Sequence, residues 1–198
     1  MLASINPLGE RARNRRWNRT VVAYLIGSIL GGALIGALLG LVGGLAGGSL
    51  GPVSIAAVVT ATCAIGLLLD LGVGGLRLPT VHRQVDKDWL DRYRGWVYGL
   101  SFGFQLGLGV VTVVNTAAIY AMLIVALVSR SVVTGAAIGT TFGLVRGLVI
   151  FSVRHVRQPE QLRQVHRRMT SLAPLAQRAS VGIQAVVVLA AATAVVTR

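Results

Sequence analysis

Three side chains stand out against an apolar background. Asp70, Asn115 and Arg146 each fall within a long apolar stretch, with Thr112 and Thr116 beside Asn115 and with Thr140 and Thr141 ahead of Arg146. Their chemistry is charge pairing and ion attraction rather than bond making. A carboxylate and a guanidinium withdrawn from water compensate each other, and a deep cation attracts anions. Residue types suited to nucleophilic or metal chemistry lie elsewhere. Cys63 is the one cysteine, so the chain holds no dithiol. His82, His155 and His166 fall in basic stretches without metal-ligand spacing. No enzyme activity, cofactor or metal is expected from these residues.

The elements that must position the polar groups follow from composition. Of 198 residues, 54% are hydrophobic and 13% charged, and mean hydropathy is +0.73. A soluble domain carries about 25% charged residues, so this chain cannot cover itself with a water-compatible surface. Five apolar segments, at about 21–45, 53–78, 96–128, 132–153 and 179–196, are each long enough to cross a bilayer as a helix. The third is too long for one straight span. It is either strongly tilted, or its glycine-rich start is a separate or bent piece. The reading is an all-α, polytopic transmembrane helix bundle of about five spans. It forms a single domain over 1–198, with cytoplasmic loops at 79–95 and 154–178.

Charge gives the orientation. Net charge is +13, which in a soluble protein would suggest nucleic acid. Here the basic residues flank apolar runs, which points to anionic lipid headgroups instead. Sixteen of the 19 basic residues fall in three stretches: before the first span, between the second and third, and between the fourth and fifth. Five spans put all three stretches on one side. Only Arg130 and Arg198 fall on the other side, and Arg146 lies within the fourth span. This bias assigns the N-terminus to the cytoplasm and the chain to the cell (inner) membrane. Trp17, Trp89 and Trp96 all fall at cytoplasmic ends of spans. In the last basic stretch, Pro159 and Glu160 suit a helix start. Leu162, Val165, Met169 and Leu172 then form an apolar stripe, for the membrane surface or for packing on the protein.

Glycine spacing is the strongest pattern. Gly32, Gly36, Gly40, Gly44 and Gly48 recur every four residues, as do Gly135, Gly139, Gly143 and Gly147, and Gly99, Gly103 and Gly107. Glycine weakens helices, so such ladders need a return, and in lipid that return is close helix–helix approach. The ladders fit packing within one chain, a homo-oligomer, contact with partner membrane proteins, or a sliding interface in a transporter. Asp70 and Arg146 precede the cytoplasmic ends of their spans by similar distances and could pair. Asn115 falls near the same layer.

The stretches YGLSFGFQLGLGVVTVVNTAAIYAMLIVALVS and GAAIGTTFGLVRGL resemble the second half of the cytochrome c biogenesis (CcdA)/DsbD-type transmembrane family. That family groups with sulfite-exporter-like and LysE-like small transporters. The opening INPLGERARNRRW resembles the tail of that family's first helix, which would make the five spans the last five of six. The resemblance implies a small-transporter bundle. It departs where redox members carry Pro-Cys in mid-helix: this chain reads Val114-Asn115-Thr116 there, and Cys63 is not in that place. A disulfide relay needs two thiols, so transporter-like movement of a small ion or solute is expected without redox activity. The alternative is a non-transporting subunit.

The orientation is testable by placing single cysteines at Ser49, Arg130 and Gln161 in a Cys63-free background. An impermeant outside reagent should label the first two and spare Gln161. Labelling at Gln161 but not Arg130 would invert the topology.

Overall fold

A computed structural model describes residues 5–46, 51–70, 94–109 and 118–196. Among these residues the regular structure is all helical, with no strand. A short helix, α1 (Pro7–Ala12), leads into α2 (Trp17–Leu45), and α3 (Pro52–Asp70) follows. Then come α4 (Gly95–Leu108), α5 (Ala118–Val128) and α6 (Val132–Leu148), the last continued by a 3-10 turn over Val149–Val153. The 38-residue α7 (Pro159–Val196) ends the fold. Two described helical stretches, Trp17–Leu45 and Val132–Val153, are long and apolar enough to cross a membrane. Val53–Leu69 and Ile119–Val128 are shorter apolar helices.

Local sequence explains several boundaries. Pro7 opens α1 while the Asn6 side chain accepts from Gly9 N–H at 2.8 Å, an N-cap that satisfies one orphan donor. Ser131 does the same for α6, accepting from Thr134 N–H at 3.3 Å. α7 starts at Pro159 with Glu160 in its first turn.

α2 is the hub, and it makes its most extensive contacts with α4 and α6. Thr20, Val21 and Tyr24 are buried near its start, and from Gly27 onward its buried residues are all small: Gly27, Ser28, Gly31, Gly32, Gly36, Gly40 and Gly43. Its large apolar side chains point outward, from Val22 (56% exposed) through Leu30 (52%) to Leu45 (75%). This distribution inverts that of a water-soluble core helix. A Cβ built on Gly32 would overlap the carbonyl oxygen of Gly139, one on Gly36 that of Gly135, and one on Gly40 that of Ser131. On a second face, Gly27 abuts the Leu100 carbonyl and Gly31 that of Phe104. In return, Gly103 lies on the Tyr24 carbonyl and Gly107 on that of Ser28. These pairings run α4 parallel to α2 and α6 antiparallel to it.

A conventional side-chain core closes one end of the bundle. Ile5, Val21, Tyr24, Tyr98, Phe102, Ile150, Val153 and Val156 form it, with Leu162 and Val165 packed alongside. Beside it Glu10, fully buried, accepts a hydrogen bond from Thr20 Oγ1 at 2.7 Å and ties α1 to α2.

Of the two readings of the long third segment, the separate glycine-rich start is the one seen: α4 ends at Leu108 and α5 begins at Ala118, with 110–117 outside the described residues. Two expectations change. The expected loop at 154–178 is mostly the first half of α7, which continues into the apolar 179–196 region and contains Pro174. Its Arg, Gln, Leu and Ala residues are good helix formers, and a change from basic to apolar composition does not end a helix. Of the α7 stripe, Leu162 and Val165 pack on the protein, whereas Leu172 is 47% exposed. Lastly, Gly44 is not the fourth rung of the first ladder. A Cβ there would meet only Arg130 backbone, at 3.2 Å, while Gly43 lies on the Leu127 carbonyl. A strict four-residue repeat drifts around a 3.6-residue helix, so by this height the facing position has moved back by one. Gly48 lies outside the described residues.

Gly139→Leu and Gly36→Leu should each lower the thermal midpoint in detergent, through an overpacking cost of about 1–3 kcal/mol or more. A Cβ on Gly182, also helical, meets nothing within 4 Å, so Gly182→Ala should be neutral or stabilising by up to about 1 kcal/mol. Equal losses at all three sites would refute the contact argument.

Candidate functional site

The break between α4 and α5 is the place where polar groups gather at mid-height. α4 ends at Leu108, and Gly107 lies against Ser28 and Gly32, near the middle of the 29-residue α2. Gly109 follows with φ of 75° and ψ of −40°, a positive-φ conformation that glycine reaches far more readily than residues with a Cβ. A Cβ there would also press on the Phe142 ring at 3.2 Å. The helix therefore stops with its terminal carbonyls at a depth where water is scarce.

Arg146 reaches that helix end. From α6 its Nη1 donates to the Leu106 carbonyl at 3.3 Å, which also receives Gly109 N–H at 3.1 Å. The guanidinium lies 5.3 Å from the centroid of the Phe142 ring, a cation–π arrangement. A cation at a helix C-terminus is favoured by the helix dipole as well. Arg146 thus joins α6 to the broken end of α4 and holds positive charge at the break. Ser28, fully buried, fixes the same level by donating its hydroxyl to the Gly143 carbonyl at 2.7 Å.

The other expected members of the polar layer have different standings. Thr112, Asn115 and Thr116 fall in 110–117, outside the described residues. Asp70 is the last residue of α3, and its side chain is not described. α3 packs chiefly on α7 and α5. Thr141 is exposed and returns its hydroxyl to the Ala137 carbonyl at 2.9 Å. Cys63 is buried in α3. Among the described residues no cluster of His, Cys, Asp and Glu could hold a metal. The string Gly99-Leu100-Ser101-Phe102-Gly103 has the letters of a hydrolase nucleophile elbow, but it lies wholly within α4. That motif needs a strand-to-helix turn.

Arg130 has a role that the charge count did not suggest. In the turn between α5 and α6, at φ 52°, its Nε donates to the Gly43 carbonyl at 3.0 Å. Gly43 is in the last turn of α2, so Arg130 completes that helix end as Arg146 completes α4. The remaining glycines that reasoning by ladders passed over, Gly27, Gly31 and Gly43, were visible only as a second set of four-residue spacings.

Arg146→Gln should lower stability by about 1.5–3 kcal/mol, the range for a hydrogen bond to a charged group, with Arg146→Lys retaining part of it. Combining Arg146→Gln with Asp70→Asn separates two roles. A coupling of about 0.5–3 kcal/mol means that the charges meet. Strict additivity means that Arg146 acts through α4 alone.

Comparison with known proteins adds the lineage. The methylamine utilization protein MauF of Methylophilus methylotrophus is 38% identical over 101 residues, which is 50% of this chain and 35% of that protein. The match therefore spans about a third of the relative's length. No solved structure matches the chain. The family model described as cytochrome C biogenesis protein transmembrane region matches residues 2–194. With apolar helices of spanning length and a match that covers nearly all of its residues, this membrane protein belongs to the cytochrome c biogenesis protein transmembrane region family.

Proposed function

We propose that the chain is a five-span, transporter-like protein of the inner membrane, N-terminus inside, that moves a small ion or solute past the α4–α5 break without thiol chemistry. The observation that carries this reading is the Arg146 guanidinium at the interrupted end of α4, halfway along α2. Discontinuous helices in membranes are tolerated where they line a cavity or hold a polar ligand, and a cation there suits an anionic solute. Thr112, Asn115 and Thr116 follow in sequence at the break. The single Cys63 excludes an electron relay between two thiols of this chain. The family and the MauF likeness support a role in membrane-linked biogenesis, in which such movement would serve a maturation process. The rival reading is a non-transporting subunit, which would turn its glycine faces outward to other chains. The inward use of Gly27, Gly36, Gly103 and Gly139 favours the first reading.

The test is flux into liposomes reconstituted with the purified protein, using chloride, sulfate and sulfite as probe anions with internal dyes. Arg146→Gln and Asn115→Leu should each cut flux at least about tenfold, which corresponds to roughly 1.4 kcal/mol. Cys63→Ala should leave it unchanged. Anion flux no greater than in empty liposomes would refute the anion reading. If stable partner proteins also co-purify, the subunit reading takes its place.

A further inference from the structure

At the end of the bundle closed by the side-chain core, the N-terminal segment and the turn after α6 enclose an open cavity of about 520 Å³. Six arginines line it, Arg11, Arg15, Arg16, Arg19, Arg154 and Arg157, and among the described residues no acidic side chain does. The nearby acid of this segment, Glu10, is turned inward to Thr20 and is not among the residues that line the cavity. The cavity also includes Trp17 and Asn18, the first residues of α2. That helix starts with no side-chain cap and no acidic residue in its first turn, so its dipole adds to the positive field. Guanidinium groups are the side chains best matched to phosphate oxygens, which they hold bidentately. A volume of this size suits a small-molecule ligand.

We propose that this groove binds the phosphodiester headgroup of one anionic phospholipid. The choice of a lipid over free phosphate comes from what adjoins the groove. One and two turns beyond Asn18, on the adjoining face of α2, come Val22 and Ile26, 56% and 47% exposed. An acyl chain can lie along them while the head sits among the arginines. Trp17 packs edge-to-face on Phe151 with ring centroids 6.5 Å apart, and Trp96, 53% exposed, borders the adjoining cavity with Arg15, Arg16 and Arg19. Tryptophan favours the headgroup level. The inference rests on the proposed membrane orientation, but its readout is lipid binding rather than flux, so the two can fail separately.

The experiment titrates phosphatidylglycerol, phosphatidylcholine or inorganic phosphate into the full chain in mild detergent. Bound lipid is read by native mass spectrometry and the thermal midpoint in parallel. One variant carries Arg11→Gln, Arg19→Gln and Arg157→Gln, all at exposed positions in the groove. A control carries Arg163→Gln, Arg167→Gln and Arg168→Gln, with the same charge removed from α7. Phosphatidylglycerol should bind at a single saturable site and raise the midpoint, and phosphatidylcholine and phosphate should not. Each groove arginine should contribute roughly fivefold, so the groove variant should weaken binding by about a hundredfold. The control should match the unmodified protein. Equal loss in both variants would show diffuse charge attraction and overturn the site. A shift with inorganic phosphate equal to that with lipid would overturn the lipid assignment, and no saturable binding of any probe would overturn the proposal.

Discussion

The structure depends on direct contact between helix backbones along α2. At Gly27, Gly31, Gly32, Gly36, Gly40 and Gly43 the atom in the place of a Cβ would be a neighbouring carbonyl oxygen. Glycine puts a hydrogen there, so each contact is a Cα–H facing a carbonyl, a weak attraction of about 0.5–1 kcal/mol that recurs at each rung. A single methyl group at a rung would force the helices apart. The cost is that glycine disfavours the helix, and in water this exchange would fail, because the exposed leucines of α2 would find no burial. In lipid they need none, and dispersion between closely apposed helices holds the bundle.

In that arrangement two arginines donate to backbone carbonyls at helix ends. Arg146 serves the Leu106 carbonyl at the end of α4, and Arg130 the Gly43 carbonyl at the end of α2. Both lie outside the three basic stretches. Most other described arginines gather at the opposite end of α2 from Arg130, around the groove and along the first half of α7. The same side chain thus does two kinds of work. In clusters it sets a surface potential, and singly it supplies hydrogen bonds to carbonyls near helix ends.

Much of this was legible in the sequence, because hydropathy and glycine spacing are local signals. The helical class, the start of α7 at Pro159 and the peculiarity of Arg146 all follow from residues read in order. The partners of Arg146 and Arg130 were not legible, since a backbone carbonyl leaves no mark in sequence. The continuity of α7 was hidden by its change from basic to apolar composition. The shift from Gly44 to Gly43 needed the drift of a 3.6-residue helix against a four-residue repeat, together with the position of α5.

The same repeat raises a question of register. Because both α2 and α6 carry glycine at every fourth position across their interface, sliding one helix past the other by a turn would re-form nearly the same contacts. Dispersion alone therefore specifies the register weakly. Directional bonds near the two ends of the interface add to it, Ser28 to the Gly143 carbonyl and Arg130 to the Gly43 carbonyl, together with the packing of Ile150 and Val153 against Val21 and Tyr24 in the side-chain core. Between them the surfaces are smooth, with no side chain from either helix locked into the other at Gly32, Gly36, Gly135 or Gly139. One-turn ratchets of helices are a known mode of conformational change, and here one would have to break those terminal bonds and that core packing. Arg146 projects from the same helix as Gly143, so any such step would draw its guanidinium away from the Leu106 carbonyl. In this architecture the position of α6 and the state of the α4 terminus are therefore a single variable.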